Sequence, residues 1–113
     1  MLALTVALAA VTQAGAVEDR QDAALKRALD GTWDNKDGTC HVNTVTFRPN
    51  GELLLKNEQS GEVHRGTYTV EGGLLTLILQ GPPQTKTPFT AEVRDGQLNL
   101  KTSSGQTLHL PRC

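Results

Sequence analysis

From residue 32 to the C-terminus, apolar residues recur at every second position in a series of short segments. This alternation is typical of β-strands that bury one face. Gly, Pro, Asn, Asp and Ser separate the segments, and these residues favour turns. The pattern predicts eight strands, which span residues 32–34, 41–47, 52–56, 62–70, 74–79, 89–93, 97–101 and 106–110.

In each of the later seven strands one parity is apolar, whereas the other parity is mainly Thr, Lys, Glu, Arg and Asn. The short links favour antiparallel neighbours, and one buried face per strand favours a single sheet that closes on itself. We therefore expect an all-β fold over residues 31–113, an eight-stranded antiparallel up-and-down barrel. Its interior is expected to hold Val45, Phe47, Leu53, Leu55, Tyr68, Val70, Leu75, Leu77, Leu79, Phe89, Ala91, Val93, Leu98, Leu100, Leu108 and Leu110.

Residues 17–30 show a helical period instead. Leu25 and Leu29 stand four residues apart with alanines beside them, which makes one narrow apolar stripe. Acidic residues come early and basic residues late, an order that suits the helix dipole. Gly31 follows, where a helix ends most easily in a left-handed residue. The pattern predicts a short N-terminal helix that covers one end of the barrel, and a partner-binding helix is the alternative.

Residues 1–16 form a separate segment. An apolar run over residues 2–11 has the length of a signal-peptide core, and Ala14-Gly15-Ala16 supplies the small residues of a cleavage site. No basic residue precedes the run, so the signal is weak or begins upstream. No cysteine follows it directly, and we therefore expect no lipid anchor. We expect a signal peptide over residues 1–16, cleavage after Ala16, and a periplasmic or secreted protein.

The chain has two cysteines, Cys40 and Cys113. In an oxidising compartment such a pair favours a structural disulfide, and a loop of this length contributes about 4 kcal/mol in the chain-entropy model. In a simple barrel, however, Cys40 begins the second strand at one end and Cys113 follows the last strand at the other. Two explanations are open: the strand register is skewed, or the loop that carries Cys40 folds toward the other end.

A short helix, Gly31-x-Trp33 and an eight-stranded meander together resemble the lipocalin-like small β-barrels of bacteria. The strand–turn–strand phrases over residues 45–53 and 66–77 are similar to that group. The resemblance implies structural roles for Gly31, Trp33 and Arg112: Trp33 closes one end of the barrel, and Arg112 stacks on it through a cation–π contact. The chain is far shorter than the larger lipocalins.

Charge and residue types disfavour several other functions. With 113 residues the chain is a single domain, and its net charge of −1 gives no field that attracts nucleic acid. The serines at 60, 103 and 104 lie in predicted turns without a Gly-x-Ser-x-Gly sequence, so we expect no enzyme. A metal site requires a third ligand beside two histidines, so we expect no metal and no cofactor.

Strand parity gathers polar residues at one end of the predicted barrel. The candidate ligand-binding residues there are His41, Asn43, Asn57, His64 and Gln106. The opposite end is apolar and closed by Trp33 and the helix. This arrangement predicts an apolar interior with a polar mouth, which is typical of small-molecule sites. Alternatively, the strand ends are polar only because water reaches them.

Two functions agree with these features. The first is an exported, monomeric, non-catalytic binding protein that takes a small apolar ligand into the barrel at the His41/His64 mouth. The alternative is a protein-binding envelope protein, such as an inhibitor of a secreted hydrolase. In that case the proline-containing loop over residues 80–88 is the expected contact, because prolines reduce the entropy lost on binding.

Overall fold

A computed structural model describes residues 20–35, 39–81 and 83–113 of the chain. Residues 20–29 are helical. Eight strands follow, which are β1 (Gly31–Asp34), β2 (Asn43–Phe47), β3 (Glu52–Asn57), β4 (Val63–Glu71), β5 (Leu74–Leu79), β6 (Thr85–Arg94), β7 (Gln97–Lys101) and β8 (Thr107–Pro111). The described helix is too short and too polar to cross a membrane.

The strands form one sheet in which each strand pairs antiparallel with the next along the chain. The sheet curls into a nearly closed barrel, because β8 returns to β1. A bridge joins Trp33 to Arg112, and the amide of Cys113 donates to the carbonyl of Thr32 at 2.9 Å. The predicted all-β meander, with one short helix before it, is confirmed.

The pairing aligns the apolar positions of neighbouring strands on the inner face. Phe47 lies opposite Leu53, and Leu98 lies opposite Leu110. A one-residue slip would turn these side chains outward, so the alternation itself determines the register. The buried core consists of Leu29, Trp33, Val45, Phe47, Leu53, Tyr68, Leu75, Phe89, Leu98, Leu100 and Leu110.

The helix covers one end of the barrel, which we call the closed end; the other is the open end. Leu29 belongs to the core and Leu25 packs against it. The Asp22 carboxylate accepts hydrogen bonds from the amides of Gly72 and Gly73, at 2.7 and 2.8 Å. The helix is therefore held both by apolar contacts and by the turn between β4 and β5. Residues 17–19 of the predicted helix lie outside the described residues.

Arg112 connects the helix to the closed end. Its guanidinium lies over the Trp33 ring and donates to the carbonyls of Ala28 and Asp30, at 2.8 and 3.0 Å. The Trp33 indole N–H donates to the carbonyl of Leu29 at 2.9 Å. Gly31 follows the end of the helix with a positive φ of 128° and begins β1. The predicted stack of Arg112 on Trp33 is present.

Cys40 and Cys113 form a disulfide, with their Cα atoms 5.8 Å apart. Since Cys113 pairs with Thr32 near the closed end, the disulfide places Cys40 there too, although β2 begins only three residues later at the open end. This is the second of the two explanations offered by the sequence. Disulfides are typical of oxidising compartments. The expected signal peptide, residues 1–16, lies outside the described residues.

Two strand boundaries differ by more than one residue from the sequence-based expectation. Strand β6 begins at Thr85 and not at residue 89, because residues expected in a long loop pair with β5. Pro88 itself lies opposite Thr76. Strand β2 begins at Asn43, since His41 lies in the segment that turns toward Cys113. In both cases contacts distant in sequence override local turn signals.

Candidate ligand-binding site

On three strands, β3, β5 and β8, the inner face becomes more exposed toward the open end. On β3, Leu53 is fully buried whereas Leu55 is half-buried. On β8, Leu110 is 4% exposed whereas Leu108 is 44% exposed. Leu77 and Leu79 of β5 are half-buried in the same way, beyond the fully buried Leu75. Leucines that face the interior therefore remain partly accessible at the open end.

A cavity of about 330 Å³ lies at this end, beside β1 to β4. Asn43 at the start of β2 pairs with Asn57 at the end of β3, so their positions are adjacent. Asn35 lies next to Asn43, because its backbone N–H donates to the backbone carbonyl of Asn43 at 2.9 Å. The residues that line the cavity are Asn35, Asn43, Thr44, Leu55, Lys56, Asn57, Glu62 and His64.

The ionisable side chains at this cavity are arranged in pairs. His64 Nε2 lies 3.1 Å from Glu62 Oε1, and Lys56 Nζ lies 3.5 Å from Glu58 Oε2. Glu58 Oε1 also accepts a hydrogen bond from the hydroxyl of Thr44 at 3.1 Å. The cavity thus combines paired charges, neutral amides and one leucine at its apolar wall.

The structure brings together three of the five predicted site residues. Asn43, Asn57 and His64 line the cavity, but His41 and Gln106 do not. His41 is exposed, and its amide donates to Thr39 Oγ1 at 3.3 Å in the turn before β2. Gln106 is also exposed and belongs to the turn between β7 and β8, where its amide donates to Thr102 Oγ1 at 3.1 Å.

Asn35 and Glu62 were not predicted as site residues. The sequence placed Asn35 in a turn, although it continues the inward parity of Trp33 beyond the end of β1. Glu62 shares the parity of His64 and just precedes β4. Extending the parity of β1 one residue into its loop would have identified Asn35, whereas Glu62 already began the predicted strand over residues 62–70. Within the described residues, no three His, Cys, Asp or Glu side chains are grouped as metal ligands.

The closed half of the barrel is filled by side chains. Phe47 and Tyr68 meet edge to face with ring centres 5.1 Å apart. The Tyr68 hydroxyl donates to the carbonyl of Arg48 at 2.6 Å. Burial, and then the charge of Asp30, raise the pKa of Tyr68. The cavity at the open end is therefore shallow, with a packed core beneath it.

Comparisons with family models, with curated proteins and with solved structures found no match to this chain. The fold is shown by the strand pairing itself. The resemblance to lipocalin-like barrels remains a prediction from Gly31-x-Trp33 and the meander.

Proposed function

We propose that the protein is an exported, non-catalytic binding protein of the lipocalin-like type that binds a small, partly apolar ligand at the open end of its barrel. The observation that carries this proposal is the gradient of burial along the inner face of β3, β5 and β8. Leu55 and Leu77 pack against the core but are only half-buried, Leu108 is 44% exposed, and Leu55 lines a cavity of about 330 Å³. A ligand that covers apolar surface gains about 25 cal/mol per Å².

The size of the cavity restricts the ligand. Small-molecule pockets range from about 300 to 1,000 Å³, and this cavity is at the lower limit. The closed half is occupied by Trp33, Phe47, Leu53 and Leu98, none more than 1% exposed. A ligand therefore binds near the rim and does not extend through the barrel.

The chemistry of the lining supports binding without catalysis. The lining contains no serine or cysteine, and its one hydroxyl, on Thr44, is bonded to Glu58. His64 and Glu62 face each other at an exposed rim with no nucleophile between them. The proposal accordingly includes no metal, no cofactor and no reaction step, and it describes a monomer.

Native mass spectrometry of the protein purified from its host tests this function. Leu55→Trp fills the cavity, whereas Leu54→Trp adds the same bulk to the outer face of the same strand and is the matched control. We expect a small-molecule adduct on the wild type and on Leu54→Trp, and its loss from Leu55→Trp. An equal adduct on all three proteins contradicts the proposal. A bound protein in place of a small molecule favours the alternative, a protein-binding envelope protein.

A further inference from the structure

Three asparagines from neighbouring parts of the chain line one side of the cavity. Asn43 and Asn57 pair across β2 and β3, and Asn35 follows β1 next to Asn43. Each side-chain amide offers two N–H donors and one carbonyl acceptor. The meander thus places three neutral side-chain amides around the same space.

Most of this hydrogen-bonding capacity is unused within the described residues. The Oδ1 atom of Asn57 accepts hydrogen bonds from the backbone amides of Gln59 and Ser60, both at 3.0 Å. The NH₂ group of Asn57 takes no part in these two bonds. The side chains of Asn35 and Asn43 form no hydrogen bond with any described residue. Asn43 and Asn57 are half-buried, but no buried side-chain nitrogen or oxygen atom among the described residues lacks a partner, so the unbonded groups of these amides are open to solvent and find their partners in water. A polar ligand in this cavity supplies partners in place of that water.

The paired charges disfavour an ionic ligand group. Among the lining residues the only lysine, Lys56, is paired with Glu58, so an anionic group meets no free ammonium. A quaternary ammonium group is bound best by the rings of Trp, Tyr or Phe, and none of these lies among the described residues that line the cavity. These features favour a ligand group that is polar but neutral.

On the basis of the proposed function, we propose that the ligand is amphipathic and carries an uncharged, hydroxyl-rich head group, of the polyol or glycosyl class. Hydroxyls both donate and accept, so they match the amides of Asn35, Asn43 and Asn57. The apolar part of the ligand lies against Leu55, which borders the core residue Val45. The amides recognise the head group, and the leucines at the open end bind the alkyl part.

Calorimetric titration with three probes tests the head group. Decyl glucoside, decanoate and decyltrimethylammonium share one alkyl length and differ in the head, and each is used below its micelle concentration. We expect the glucoside to bind at least about tenfold more tightly than either ionic probe. In Asn43→Leu the affinity for the glucoside falls about fivefold to tenfold, as expected for one or two lost hydrogen bonds. The affinity for decanoate does not fall.

Asn99→Leu is the matched control, because Asn99 lies mid-strand on the outer face and bonds His109. Its affinity for the glucoside should equal that of the wild type. Trp33 fluorescence shows whether Asn43→Leu folds. If it does not, Asn35→Leu provides a second test at a position outside any strand. Equal binding of all three probes, unchanged in both asparagine variants, overturns the head-group inference and leaves the proposed function intact. Failure of every probe to bind the wild type overturns the proposed function as well.

Discussion

The guanidinium carbon of Arg112 lies 4.1 Å from the centre of the Trp33 ring, which places the last residues of the barrel over its first strand. The same guanidinium donates to two carbonyls at the end of the helix, those of Ala28 and Asp30. One side chain therefore joins β8, β1 and the helix. Because β1 and β8 share few contacts, we regard this stack as the main non-covalent link of the barrel seam.

Replacing Arg112 should weaken the contacts that join β1, the helix and the end of β8. In Arg112→Ala the cation–π contact and two hydrogen bonds disappear together, and we expect a loss of about 1–3 kcal/mol of unfolding free energy. Urea unfolding followed by Trp33 fluorescence measures it. Arg94→Ala is the control, because Arg94 forms an exposed ion pair with Glu92 at 2.9 Å and should cost less than about 1 kcal/mol. Equal losses in the two variants contradict the role assigned to Arg112.

Gly31 leaves room for that guanidinium. A Cβ atom on Gly31 would lie 2.8 Å from Arg112 Nη1, and the φ of 128° adds strain to any other residue. Gly31→Ala should therefore cost more than Gly105→Ala, where φ is 95° and a Cβ meets nothing within 4 Å.

A double-mutant cycle isolates the clash from the backbone strain. In the Arg112→Ala background, the cost of Gly31→Ala should fall to that of Gly105→Ala, as measured by urea unfolding. A cost of Gly31→Ala that is the same in both backgrounds would show that Gly31 serves only its backbone conformation.

The raised pKa of Tyr68 leads to a prediction of how stability changes at alkaline pH. Its pKa is raised from 10.0 in the folded protein, first by burial and then by Asp30. The unfolded chain therefore loses the phenol proton more readily, and stability is lost as the pH rises above about 10 through the folded pKa. Below pH 10 this contribution is fully present.

The difference in unfolding free energy between wild type and Tyr68→Phe isolates this effect from the titration of lysines. We expect the difference to be constant below pH 10 and to decline above it. Because Tyr68 is the only tyrosine, absorbance of the tyrosinate reports its pKa directly. A midpoint at or below 10 in the folded protein would contradict the burial argument.

Asp22 holds the helix to the turn between β4 and β5. The Asp22 carboxylate accepts from two consecutive amides, those of Gly72 and Gly73, whose φ angles are 60° and 80°. Asp22→Asn removes the charge and one of the two acceptor oxygens, and we expect a loss of about 1 kcal/mol. Amide hydrogen exchange should accelerate at Gly72 and Gly73. Glu71→Gln in the same turn is the control, and faster exchange in that variant too would argue against a specific contact.

The alternation of residues predicted most of the fold because one face of each strand must be buried. Residues 74–79 and 97–101 form strands with the predicted bounds. The start of β6 was missed because Pro88 and its neighbours resemble a loop, and only pairing with β5 makes them a strand. No local pattern records such a pairing.

Strand alternation also predicted part of the candidate site. Strand parity places Asn43, Asn57 and His64 at one end, since all three lie within strands. His41 lies outside β2, next to Cys40, which the disulfide holds beside Cys113. Strand alternation therefore does not indicate which face His41 occupies. A constraint that joins residues 73 positions apart is not visible in local periodicity.

The most direct test of the account is a titration of the protein with octanol, followed by backbone amide NMR. If the open end binds small, partly apolar ligands, the largest shift changes should cluster at Asn43, Leu55, Asn57 and His64 and saturate with increasing octanol. The Trp33 indole signal at the closed end should stay in place. Changes that spread over the outer face, at residues such as Asn99 and His109, or the absence of any saturable change, would contradict the account.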